Sequence, residues 1–168
     1  MIRLAEPDDV PAVLTLVRAL AAYEKEPDAV EMTTDDLRLA LFGPAPGAGA
    51  FVAVPAGGGP VVGFAIWHET FSTWTGKRGA FLVDLFVDPE HRRAGHGRAL
   101  LARLAATARD RGHRRLEWDV LDWNTPAQDF YRTLGAAPMD GWTTWRLDAD
   151  GLAALAGHDG HDGHDGPA

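Results

Sequence analysis

Arg92-x-x-Gly95-x-Gly97 lies between an apolar, β-branched run and a leucine-rich one, inside FLVDLFVDPEHRRAGHGRALLARL (81–104). Glycines at that spacing leave backbone N–H groups uncovered, and a helix start adds the positive end of its dipole. The turn through Arg92, Arg93, Ala94, Gly95, His96 and Gly97 therefore reads as a phosphate cradle. The two arginines suit an anion further. No Gly-Lys-Ser/Thr follows, which excludes a Walker loop, and the glycine spacing differs from the dinucleotide fingerprint. Asp84 is an ionisable residue in the apolar run before the turn, and a carboxylate there is either functional or held by hydrogen bonds. Tyr131, beside Phe130 in a later helical stretch, reads on its own as a core tyrosine.

Those residues need a scaffold, and the pattern of the chain supplies one. Ile2-Arg3-Leu4 predicts a short strand, and Glu6-Pro7-Asp8-Asp9 carries helix-initiating chemistry. Val10, Val13, Leu14, Val17, Leu20 and Ala21 then recur at three- and four-residue steps as one buried helix face. Pro27 breaks the pattern in the acidic bend of Glu24, Glu26 and Asp28. Thr33 and Asp36 have the spacing of a capping box ahead of a short second helix. Two β-rich runs, Ala50 to Pro55 and Val61 to about Phe71, flank Gly57-Gly58-Gly59-Pro60 as antiparallel neighbours. A turn with Trp74 and Gly76 leads into the Phe81 strand.

After the turn, Leu100, Leu101, Leu104, Ala105 and Ala108 predict a helix that Arg111-Gly112 stops. Leu116, Trp118 and Val120 alternate with polar residues as a half-buried strand, and Asn124-Thr125-Pro126 starts a helix that Gly135 ends. Trp142 to Leu147 is read as a last strand. The order β-α-α-β-β-β-α-β-α-β predicts an α/β (α+β) domain, a mixed and mostly antiparallel twisted sheet flanked by helices.

With 168 residues the chain suits one domain, 1–156, followed by a low-complexity His/Asp/Gly tail, 157–168, expected to be disordered. A glycine at every third position gives the tail's histidines no rigid ligand geometry, so no metal site is expected. The absence of cysteine excludes disulfides, thiolate metal sites and a cysteine nucleophile. A net charge of −8 disfavours nucleic acid and suits cationic partners. No apolar run approaches a membrane span and no secretory segment opens the sequence, so a soluble, cytoplasmic protein is expected.

The Arg-x-x-Gly-x-Gly turn after an apolar strand, with Asn124 and Tyr131 in WNTPAQDFYRTLGA, resembles the GNAT acyl-CoA-dependent N-acetyltransferases. The likeness is nearest to the diamine (spermidine/spermine and thialysine) acetyltransferases, and LAAYEKEPDAV, FSTWTGKRGAFLVDLFV and GWTTWRLD follow that family in order. The resemblance implies acetyl-CoA as co-substrate, its pyrophosphate on the turn amides of Arg93 through Gly97 and its pantetheine arm along Leu85, Phe86 and Val87. It implies that Asn124 positions cofactor or substrate and that Tyr131 protonates the leaving thiolate. Glu24, Glu26, Trp74, Asp84 and Trp123 would border the site of a small cationic amine, polyamine-like or lysine/thialysine-like, in a homodimer. The other readings are an acyl-CoA-binding regulatory module with little turnover, and an acetyltransferase of a protein amine.

An alkyl ammonium of pKa about 10.4 is neutral at pH 7 in only about one part in a few thousand, a cost of roughly 4 to 5 kcal/mol, so something must take its proton. The resembling enzymes place a glutamate immediately before the aspartate, where this chain has Val83. Glu69, or His68 through water, on the neighbouring strand is the candidate to compensate.

Overall fold

The computed structural model describes residues 1–157, and within them the chain divides at Leu121/Asp122 into two compact units. The expected tail, from residue 158 on, lies outside the described residues.

The first unit is built on five strands, β1 (Ile2–Leu4), β2 (Gly49–Ala53), β3 (Gly63–Ser72), β4 (Lys77–Val87) and β5 (Leu116–Trp118), adjacent in that order. The first four pair antiparallel, and β5 joins β4 parallel through Ala80–Leu82. The parallel step needs a crossover, which α3 (His96–Asp110) provides. Helices α1 (Val10–Tyr23) and α2 (Thr34–Phe42) fall between β1 and β2.

Local chemistry explains the helix starts. Pro7 to Asp9 form one 3-10 turn that feeds α1, and there Arg3 grips the carboxylate of buried Asp9 with both terminal nitrogens, at 2.5 and 2.8 Å. The Glu6 amide donates to the same carboxylate at 2.7 Å. The capping box ahead of α2 forms as its spacing predicts: the Asp36 amide donates to Thr33 Oγ1, and the Thr33 amide donates to Asp36 Oδ2.

The sheet has two apolar faces. Ala50, Val52, Phe64, Ile66 and Phe86 pack with Val10, Val13, Leu14 and Leu20 of α1 and Leu37 and Leu41 of α2. Residues of the opposite phase, including Phe51 and Trp67, turn toward α3 and its end, where Arg103 lies over the Phe51 ring and Arg111 over Trp67.

The second unit contains α4 (Thr125–Arg132) and α5 (Ala149–Ala156). The expected strand over Trp142–Leu147 is not formed: these residues are irregular, with Trp142 70% and Trp145 90% exposed, and no strand among the described residues pairs with them. Alternation of apolar and polar residues makes a strand only where a neighbouring strand takes up the backbone ladder, and among the described residues the sheet ends with β5. The nine earlier elements appear in the expected order.

Hydrogen bonds from Arg3 and Glu6 outweigh the burial of Asp9 and hold its carboxyl below the usual range. Its stabilisation is thus present above the unfolded carboxylate pKa of about 3.9 and is lost as pH falls through the lower folded value. Asp9→Ala should cost about 2 kcal/mol at pH 7 in urea unfolding, with the gap to wild type closing in acid.

Candidate functional site

The turn that opens α3 leaves a row of backbone donors uncovered. Asp88 Oδ1 accepts from the Glu90 amide and sets the preceding 3-10 turn, Pro89–His91, whose last donor is the Arg92 amide to Pro89 O. Beyond it, the amides of Arg93, Ala94, Gly95, His96, Gly97 and Arg98 have no acceptor among the described residues, and Ala99 begins the intrahelical ladder by donating to Gly95 O. Arg93 (φ 63°) and Gly95 (φ 80°) both take left-handed backbone, a shape that turns consecutive N–H groups toward one point. Arg92 to Gly95 are exposed, so the concavity is open to a ligand. A diphosphate fits these donors.

Beside the turn, β4 offers an open edge. Its pairing with β5 stops at Leu82, and from Val83 to Val87 the one strand paired with it among the described residues is β3. The expected arm-binding residues Leu85, Phe86 and Val87 lie on this stretch. A strand edge of that kind pairs with the amides of an extended ligand.

The pairing with β3 slips at the same place. Trp67 faces Leu82 and Ile66 faces Asp84, which leaves Val83 as the extra residue of a bulge, 48% exposed. The bulge shifts the phase of the strand. Leu82 follows Trp67 to the α3 side, whereas Asp84 follows Ile66 and ends the apolar row Ala50–Ile66–Asp84 on the α1 side. Strict alternation would have put Leu82, Asp84 and Phe86 on one face.

On that side Asp84 meets the end of α1. Glu24 caps the helix, donating its amide to Leu20 O, and its carboxyl feels the charge of Asp84. Burial pushes the Asp84 carboxyl up, and burial together with the Asp84 charge pushes Glu24 up. The structure thus brings two of the expected residues together as a desolvated acidic pair. Glu26 follows in the exposed turn, its amide bonded to Ala21 O.

Other expectations land elsewhere. Trp74, 87% exposed, stands at the β3–β4 hairpin tip, and the strand from Lys77 to Asp84 alone spans about 23 Å at ordinary strand rise, so Trp74 does not border the acidic pair within this chain. Glu69 is held by Arg78, by Arg111 at 3.2 Å and by His113 at 3.2 Å. Burial acts to raise its pKa, but the hydrogen bonds from Arg78 and Arg111 prevail and lower it. Glu69 is therefore a structural anion and not a base. His68 lies against Phe81 and uses Nδ1 on the Glu69 carbonyl. Arg92 does not point its guanidinium into the cradle: Nε donates to Val87 O at 3.0 Å, and the group lies over the rings of Tyr23 and Phe86.

In the second unit, Asn124 is buried and its Oδ1 caps α4 by accepting from the Ala127 amide, while half-exposed Trp123 precedes it. Tyr131 lies beside Phe130, ring centroids 5.4 Å apart. The features missed in the sequence are the bulge and the Glu24–Asp84 coupling. The one signal for them was an acid in the Leu82, Asp84, Phe86 phase of an otherwise apolar strand.

A cradle of free amides beside an open strand edge, on a mixed sheet, is the layout of a transferase whose donor arrives on a phosphate-bearing arm. Residues 15–136 match the acetyltransferase (GNAT) family, and the chain belongs to that family of acyltransferases. It is 37% identical over 166 residues to the thialysine N-epsilon-acetyltransferase of Sus scrofa, covering 94% of this chain and 97% of that protein. The Bos taurus protein of the same name is 38% identical over 166 residues, with the same coverage. An integron cassette protein from the mobile metagenome of V. cholerae has the same fold, with TM-score 0.76 and 26% identity over 93% of this chain and 96% of that one. The family uses acetyl-CoA.

Ionised, Asp84 opposes folding, because its folded pKa exceeds the unfolded value of about 3.9. The relief is complete below the unfolded pKa and vanishes as pH rises through the folded one. Asp84→Asn should melt above wild type at pH 7 to 8, the difference shrinking toward pH 4. Equal melting temperatures across that range would contradict the assignment.

Proposed function

We propose that this protein transfers acetyl from acetyl-CoA to the primary amine of a small cationic acceptor, thialysine-like, lysine-like or polyamine-like, by direct attack. The observation that carries this reading is the acidic pair of Glu24, at the end of α1, and Asp84, on the strand whose open edge and following turn suit the donor. The cofactor occupies the amides of Arg93 to Gly97 with its diphosphate and runs its arm along β4 from Val83. The ammonium end of the acceptor is drawn to the carboxylates of Glu24 and Asp84, with Glu26 adding negative charge at the approach.

The proton balance follows from the chemistry. The ammonium gives up one proton to the Glu24–Asp84 carboxylates, its free amine attacks the thioester carbonyl, the C–S bond breaks, the thiolate takes a proton from Tyr131, and the second proton shed by the new amide nitrogen restores Tyr131 through solvent. Asn124 orders the start of the helix that carries Tyr131, and Trp123 lends an aromatic face to the acceptor. Residues 1–156 act as one catalytic domain, in the cytoplasm, as a homodimer, with no nucleic-acid partner. The exposed Trp142 and Trp145 support association between copies.

Acetyl-CoA-dependent thiol release over a panel of thialysine, lysine, ornithine, diamines, spermidine and a peptide amine tests the reading. Turnover is expected with small cationic amines and should be abolished in Gly97→Trp, whose side chain blocks the cradle. Tight acetyl-CoA binding without release for any amine would make the protein a binding module instead.

A further inference from the structure

An arginine at the head of a phosphate-binding turn is the obvious ligand for the phosphate, yet the side chain of Arg92 is engaged elsewhere. Its Nε is bonded to Val87 O at 3.0 Å. Its guanidinium carbon lies 5.0 Å from the centroid of the Tyr23 ring and 5.4 Å from that of Phe86. Phe86 belongs to the core on the α1 side of the sheet, so the cation is folded onto that side. Both rings are adjacent to the acidic pair in the chain. Tyr23 closes α1 immediately before Glu24, and Phe86 shares a strand face with Asp84 two residues away.

Glu24 and Asp84 have a reason to separate, since two desolvated carboxylates repel. The end of α1 then needs a contact that draws it to β4. A cation between one ring from each element supplies it, and the Val87 carbonyl fixes the cation's own position.

We propose that Arg92 is a positioning residue for the acceptor side, clamping the end of α1 to the end of β4 so that Glu24 and Asp84 face one ammonium. This rests on the reading of that pair as the acceptor site. The first residue of the turn thus serves the amine, while the amides after it serve the donor. One short segment ties the two half-sites together.

Steady-state kinetics of Arg92→Ala and Arg92→Lys, with acetyl-CoA and with acetyl-pantetheine, which lacks the diphosphate, separate the roles. Loss of the clamp should lower kcat/KM for the amine by about tenfold with either donor, chiefly through KM, while acetyl-CoA affinity by calorimetry stays within about twofold. Arg92→Lys should recover part of the loss, because an ammonium still sits over a ring. Tyr23→Leu, which keeps the arginine and removes one ring, should reproduce the amine defect if Arg92→Ala fails to fold.

A defect seen with acetyl-CoA and absent with acetyl-pantetheine would make Arg92 a diphosphate ligand and overturn the proposal. Unaltered amine kinetics in a folded Arg92→Ala that retains turnover would overturn it alone. A wild type that acetylates no amine overturns the acceptor site itself, and the clamp with it.

Discussion

Between Ile66 and Trp67 the ladder joining β3 to β4 slips by one residue, leaving Val83 without a partner. A two-residue repeat means that one extra residue reverses which side of the sheet every later side chain meets. Before the slip, Leu82 shares a face with Trp67. After it, Asp84, Phe86 and the approach to the α3 turn are set by the α1 side. The slip also coincides with the end of pairing to β5, so the edge that opens and the acid that turns inward arise at one place. Without the bulge, Asp84 would lie across the sheet from Glu24.

The carboxylates of the first unit divide according to their partners. Asp9 receives Arg3 and the Glu6 amide, and Glu69 receives two arginines and a histidine; both are held below the ordinary range. These are anions whose burial is compensated, and they stabilise the structure that contains them. Asp84 and Glu24 are pushed the other way, Asp84 by burial and Glu24 by burial and by the charge of Asp84. A fold that satisfies these structural acids and, among the described residues, sets no ion pair on Glu24 or Asp84 bears a stability cost at that pair, a pattern expected where a charged ligand completes the site.

What could be read from the sequence was local. Thr33 and Asp36 sit three residues apart and cap a helix whatever the rest of the chain does, and the leucine spacing after Gly97 specifies α3 without reference to a partner. Glycine at 95 is called for by its left-handed backbone, which any reading of a tight helix entry anticipates. The misses depended on distant residues. Trp142–Leu147 has strand alternation but no neighbouring strand among the described residues, and α5 forms inside the expected domain, where the expected element order ends on that strand. The bulge is a matter of register between two strands, invisible to the period of either one. Arg92 was assigned to the cradle by its place in a motif, whereas its partners Tyr23 and Val87 come from the ends of two other elements.

The bulge also bears on how the acceptor amine is deprotonated. The position where resembling enzymes carry a glutamate is Val83, the exposed extra residue, so a side chain there is not fixed by cross-strand pairing. Glu69, next in line by strand proximity, is committed to Arg78 and Arg111 and has its proton affinity lowered, which is the wrong direction for a base. The Glu24–Asp84 pair has its proton affinity raised, Asp84 by burial and Glu24 by burial and the charge of Asp84, which is the direction a base needs. An entering ammonium would relieve the repulsion between the two acids, and on giving up its proton would leave one of them neutral. On the proposed reading, the arrangement that raises the pair's proton affinity would lower the cost of removing a proton from the amine, whose deprotonation in water takes roughly 4 to 5 kcal/mol.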